Sequence, residues 1–196
     1  MFTAFKMLVL GIFLTTSFSN GTKVAVRKFD PYNLDPAYRV EKILTPIDEK
    51  SIAQVLCDSH IERYGQPPSA NRLALSWAQV ALENNRGKKV WNNNLGNQGP
   101  FRMDQEYYHH LRKGWPYRSF GSHHDSGASY WGIISKCSGA LRAFDDGDPD
   151  AAAIGLKKCN YFSSDEKQYS RTLSSLYYEA KSRLLPKINC ERKKDN

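Results

Sequence analysis

Cysteine is scarce in this 196-residue chain. It has four, Cys57, Cys137, Cys159 and Cys190, and no CxxC pair among them. The five histidines, His60, His109, His110, His123 and His124, show no zinc-type spacing with them, which excludes a zinc finger or ribbon. Asp145, Asp146, Asp148 and Asp150 lack the Glu that closes a twelve-residue calcium loop, so a turn and helix cap is their expected role. No metal and no cofactor is expected. Long apolar runs are missing too: Met7 to Leu14 is too short to span a bilayer comfortably. No cysteine near residue 19 offers a lipid anchor. No strongly amphipathic Lys/Arg helix supports binding to a membrane surface. Internal repeats and low-complexity segments are absent, and the length suits one domain with a real core.

What is present points to export. Lys6, the apolar run after it and the small-x-small site Ser17-Phe18-Ser19 form a secretory signal, with cleavage expected after Ser19. An uncleaved anchor is the alternative. The expected location is therefore periplasmic or secreted. In an oxidising compartment four cysteines make two disulfides. Three pairings are open, of which Cys57–Cys190 with Cys137–Cys159 is the one expected here. The formal charge is +8, which favours a polyanionic partner. For an exported protein that means wall polymer rather than nucleic acid, and no stable membrane insertion. A monomer is expected.

Residues 20–46 carry Asp30-Pro31, Asp35-Pro36 and Thr45-Pro46 without periodicity, and read as an extended arm. Residues 47–190 read as one domain and 191–196 as a basic tail. The apolar spacing predicts a helix over 47–64, ended by Gly65, and a second over 70–83 with Ser69 as N-cap. Residues 86–121 are rich in Asn, Gly and aromatic residues, and predict a long loop with one short hairpin. Further helices are predicted over 122–136, 138–144, 149–157 (capped by Asp148) and 166–184. In the helix after Ser122, Ala128, Tyr130, Trp131 and Ile134 should face inward. The class is mainly α.

The second helix is apolar over most of its circumference. Arg72, Ser76, Gln79 and Glu83 fall in one sector of roughly 60°. Glu83 sits at the C-terminal end, where helix carbonyls disfavour a negative charge and raise a carboxyl pKa. An acid held protonated near neutral pH is what glycosidic bond cleavage needs.

The segment Leu73 to Gly87 resembles the A-Q-A-x-L-E-S-x-W-G signature of the glucosaminidase group of peptidoglycan hydrolases. This group includes flagellar rod-associated muralytic enzymes. Asn93-Asn94-Leu95-Gly96-Asn97 is similar to its N-N-L-F-G-I segment. Tyr117 to Ser122 resembles its F-R-x-Y-D-S segment, and Leu156 to Asp165 with Tyr169 its L-x-x-x-G-Y-A-T-D-x-x-Y segment. The four matches follow the family's order across roughly residues 70–185. The resemblance implies a lysozyme-like domain with the loop or a small hairpin region flanking the cleft. It puts the catalytic acid on Glu83 and the cleft tyrosine on Tyr161. It implies a second carboxylate in the loop, for which Asp104 and Glu106 are the candidates. Asn84 and Arg86 stand where the family has Ser and Trp, and Arg86 would bring a cation to the cleft that opposes the rise in the Glu83 pKa.

The expectation is an exported, cofactor-free hydrolase of peptidoglycan glycan strands, cutting β-1,4 bonds between amino sugars. Gln79, Asn94, Tyr107 and Trp115 are candidate substrate contacts. The alternatives are a lytic transglycosylase forming 1,6-anhydro ends and a non-catalytic wall-binding module.

Overall fold

The computed structural model describes residue 30 and residues 34–102, 104–109 and 114–191. The expected signal at 1–19 and the basic residues 192–196 lie outside that range. Among the described residues the fold has six α-helices and one hairpin: α1 (Glu49–Tyr64), α2 (Ala70–Asn84), β1 (Tyr107–His109), β2 (Pro116–Arg118), α3 (His123–Ile134), α4 (Ser138–Asp146), α5 (Pro149–Lys158) and α6 (Glu166–Glu179). The mainly α class with a small hairpin is what the sequence predicts.

The helix starts follow from local chemistry. Asp48 caps α1 by accepting from the Ser51 amide at 2.9 Å, and Gly65 ends it in the left-handed region at φ 72°. Ser69 accepts from the Arg72 amide at 3.1 Å, Ser122 from the Asp125 amide at 3.1 Å, and Asp148 from the Ala151 amide at 2.9 Å. In α6 Asp165 caps through the Gln168 amide. The helix expected to run to residue 184 loosens after Glu179 into a five-residue π turn, Ala180–Leu184.

Helix α2 is central. It packs on α1, α4 and α6, and every residue from Leu73 to Ala81 is buried. Each large apolar side chain among them contributes on the order of 2 kcal/mol. On α3, Tyr130, Trp131 and Ile134 face inward as expected, but Ala128 does not. Ser126 and Gly127 are buried instead, because α3 crosses α1 so closely that a Cβ on Gly127 would meet Ser59 Oγ at 2.8 Å.

Two disulfides close the fold. Cys57 on α1 joins Cys190, and Cys137 ahead of α4 joins Cys159 at the end of α5, both with Cα–Cα 5.8 Å. Loops of this size correspond to stabilisation on the order of 3–5 kcal/mol per bridge. No helix among the described residues is long and apolar enough to cross a membrane.

The segment between α2 and α3 is framed by asparagines. Asn85, Asn92, Asn93 and Asn97 all have φ near +50°, a conformation asparagine tolerates better than most residues. The side chains of Asn92, Asn93 and Asn97 then hold backbone. Asn92 accepts from the Ile43 amide and donates to the Glu41 carbonyl, and Asn93 donates to the Phe120 carbonyl. Residues 39–47 lie along this frame, with Val40, Thr45 and Ile47 amides donating to the carbonyls of Tyr107, Val90 and Gly87. Gly87 is required at its place: its φ is +82°, and a Cβ there would come within 1.9 Å of the Ile47 carbonyl.

Candidate active site

Glu83 is the penultimate residue of α2. Its Oε1 accepts from the Tyr169 hydroxyl of α6 at 3.3 Å, and its Oε2 from Asn97 Nδ2 at 3.3 Å. Asn97 Nδ2 also donates to the Glu83 backbone carbonyl at 2.8 Å. One side chain thus holds both the helix end and the acid on it. The side chain of Glu83 is enclosed by protein yet keeps partial access to solvent. Burial pushes its pKa up, and the Asn97 and Tyr169 hydrogen bonds pull it back in part. The direction is the one the sequence predicts; the leading cause is burial.

Tyrosines surround this carboxyl. Tyr130, Tyr161 and Tyr169 have raised pKa values, with burial as the main cause and the charge of Glu83 adding to it, and Tyr117 shows the same two causes. All four stay neutral phenols through the physiological range. Tyr161 donates to the Gly96 carbonyl at 3.1 Å. Gly96 permits that approach, since a Cβ there would lie 2.8 Å from the Tyr161 hydroxyl. Tyr169 is held by Phe162, whose ring stacks on it at 3.6 Å between centroids. Tyr130 donates to Gln79 Oε1 at 2.6 Å.

The other candidates are placed differently. Gln79 is fully buried and bonded to Tyr130, so it presents no face to substrate. Asn94 is fully buried as well: it donates to the Gln98 and Arg118 carbonyls and accepts from the Gln98 amide. It braces the loop against β2. Tyr107 is buried in β1, paired through its backbone with Arg118 and edge-on to His109. Trp115 is half-buried and packs over Gly99, where a Cβ would lie 3.0 Å from the indole Nε1. Asp104 is exposed and ion-paired with Arg102, which holds its carboxyl below the usual range. Glu106 is exposed, and its carbonyl accepts from the Ser119 amide. Neither carboxylate is among the groups acting on the Glu83 carboxyl, which are Asn97 and Tyr169.

Arg86 does not bring its charge to the cleft. The left-handed turn at Asn85 and Arg86, with φ 52° and 58°, swings it over Trp77 and onto Glu179 at 2.7 Å, with Glu49 at 3.5 Å. Asn97 and Tyr169 are the contacts that reading for site residues misses. Tyr169 is visible in sequence as part of the Tyr161–Asp165–Tyr169 segment, yet its helical register reads as core. Asn97 follows Gly96 directly, and only its left-handed backbone turns it back to α2.

The fold and these residues define a mainly α domain with an enclosed carboxyl at a helix end, walled by tyrosines. No family model matches the chain, and a search of curated proteins finds no match. Among solved structures, a peptidoglycan hydrolase mutant from Sphingomonas sp. A1 is similar at a TM-score of 0.49 and 15% identity, over 66% of this chain and 90% of that one.

Proposed function

We propose that the protein is an exported hydrolase of peptidoglycan glycan strands, with Glu83 as general acid. The observation that carries this reading is the carboxyl itself: buried enough for its pKa to rise, reachable by solvent, and oriented by two hydrogen bonds. A protonated Glu83 gives its proton to the glycosidic oxygen as the bond to the sugar breaks. Positive charge then develops on the sugar ring. Tyr161, a neutral phenol beside Glu83, positions the sugar and steadies that charge. Water completes hydrolysis, helped by Glu106 or Asp104; Glu106 is the better base because Arg102 engages Asp104. The ordered likeness of four segments to the glucosaminidase group supports the choice of substrate, as do the positive charge of the chain and its two disulfides.

One observation favours a second reading. Among the described residues no carboxylate acts on Glu83, and the phenols around it are poor bases. A lytic transglycosylase needs only the one acid and closes a 1,6-anhydro ring without water. Mass spectrometry of sugars released from purified sacculi separates the two. Reducing ends lost in Glu83→Gln mean hydrolysis, anhydro ends mean transglycosylation, and sacculus binding without release refutes both.

A further inference from the structure

A cavity of about 660 Å3 lies beside α3, and Glu83 is not among its lining residues. Three cations line it: Arg63 from the last turn of α1, Arg118 from β2 and Lys136 just after α3. Among the described residues none of the three has a carboxylate within ion-pair distance. Arg63 donates to Ser135 Oγ at 3.4 Å and Arg118 to Ser129 Oγ at 3.1 Å. The one acid in the wall is Asp125, which accepts from the Ser122 hydroxyl at 2.8 Å and acts on Arg118 through its charge without an ion-pair contact. Other arginines are ion-paired: Arg72 with Asp145, Arg86 with Glu179, Arg183 with Glu49. At this cavity three cations without an ion pair share one lining.

Arg118 is the telling member. It is half-buried with no carboxylate in contact, and burial lowers its pKa, an effect that the charge of Asp125 offsets only in part. Its guanidinium lies over the Phe120 ring at 4.4 Å, which fixes its plane. A fixed, planar, partly desolvated fork suits an incoming carboxylate. Phe101, 45% exposed, and Ile133 add apolar surface to the wall beside Ser119 and Ser129. Apolar side chains and hydroxyls together beside a cationic fork suit a short peptide, which has both small side chains and amides, better than a polyol phosphate chain.

We propose that this cavity binds the carboxylate of the short peptides that branch from wall glycan. The identity of the peptide rests on the peptidoglycan reading above; the cationic cavity does not. Binding would hold the glycan by its side branches while Glu83 acts on its backbone.

The test is isothermal titration with Glu83→Gln protein, so that nothing is cut. The probes are peptide-bearing disaccharides from sacculi, the same glycan with its peptides removed enzymatically, and poly(glycerol phosphate). The peptide-bearing form should bind at least about tenfold more tightly than the stripped one, as the loss of one or two charge-assisted contacts implies. That preference should vanish in Arg63→Gln/Lys136→Gln, whose exposed positions leave folding intact, and should weaken in Arg118→Lys. Equal binding of the two glycans, or a preference that survives the double variant, overturns the proposal. So does tighter binding of the phosphate polymer than of the peptide-bearing form. Wild-type cleavage of stripped glycan without any peptide preference leaves the hydrolase standing and removes this site; peptide preference without cleavage does the reverse.

Discussion

The Tyr169 hydroxyl reaches Glu83 Oε1 across 3.3 Å, linking two helices through residues 86 positions apart in sequence. Burial raises the Glu83 pKa, and this bond lowers it by favouring the charged form. Removing the bond should therefore raise the pKa further. In Tyr169→Phe the stacking on Phe162 is kept, so folding should be preserved. The alkaline limb of the pH–rate profile, where the acid loses its proton, should move to higher pH. The rate at the optimum should fall by less than about tenfold, since the acid itself remains. A limb that stays in place or moves to lower pH would remove Tyr169 from the site.

Replacing Glu83 by Gln should lower sugar release by about 10²–10⁴-fold, the range for loss of a positioned general acid. Stability should respond in the opposite sense. A carboxyl whose folded pKa lies above its unfolded value adds stability below the unfolded pKa, and loses it as pH rises through the folded one. Glu83→Gln should gain on wild type as pH rises from about 4.5 towards neutrality. Denaturant midpoints of the two proteins across that window would check this, and a constant difference would mean the carboxyl is not perturbed.

How much of this is legible in the sequence depends on how local the cause is. Helix α2, its Ser69 cap and its polar sector follow from residues within a few turns of each other, and so does the position of Glu83 at the helix end. The hairpin could be expected but not located, because strands of three residues carry too little alternation to read. Gln79 and Asn94 look like cleft residues by type, but distant partners satisfy them: Tyr130 for the first, Arg118 and Gln98 for the second. Arg86 escapes the sequence reading for a similar reason. Its partner Glu179 lies 93 residues away, and two consecutive left-handed residues set its course.

Gly96 tests whether Tyr161 matters. A Cβ at residue 96 would meet the Tyr161 hydroxyl at 2.8 Å and the Tyr130 ring at 3.5 Å. Gly96→Ala should displace Tyr161 and cost about 1–3 kcal/mol in stability, the usual range for overpacking. If Tyr161 steadies charge in the transition state, kcat should fall more than KM rises. Tyr161→Phe, which removes the hydroxyl without crowding, should reproduce the loss in kcat without the loss in stability. Unchanged kcat in Tyr161→Phe would make this tyrosine a packing residue.

His60 should give the fold an acid sensitivity opposite in sign to that of Glu83. It is a buried residue of α1, facing the chain that follows: Nδ1 donates to the Gln66 carbonyl at 2.9 Å, and Arg72 Nη1 donates to Nε2 at 3.0 Å. That pattern fixes the neutral tautomer with its proton on Nδ1. Arg72 cannot swing away easily, because Asp145 holds the other side of its guanidinium through Nε at 2.6 Å. A second proton on the ring would face that cation. Burial, and then the charge of Arg72, accordingly lower the His60 pKa, while Gln66 and Asp145 offset them in part. With the folded pKa below the unfolded one, the unfolded chain takes up its proton first as pH falls. Stability is therefore full above about pH 6.5 and declines below it until the folded pKa is passed. Glu83 acts in reverse, adding stability as pH falls towards its unfolded value. In wild type the two slopes have opposite signs, that of His60 lying below about pH 6.5 and that of Glu83 above about pH 4.5. Glu83→Gln should expose the His60 slope as a steeper loss of stability on acidification. Adding His60→Gln, which keeps a donor and an acceptor in the same space, should flatten it. If acidification weakens the single and double variants equally, His60 is not the group that titrates.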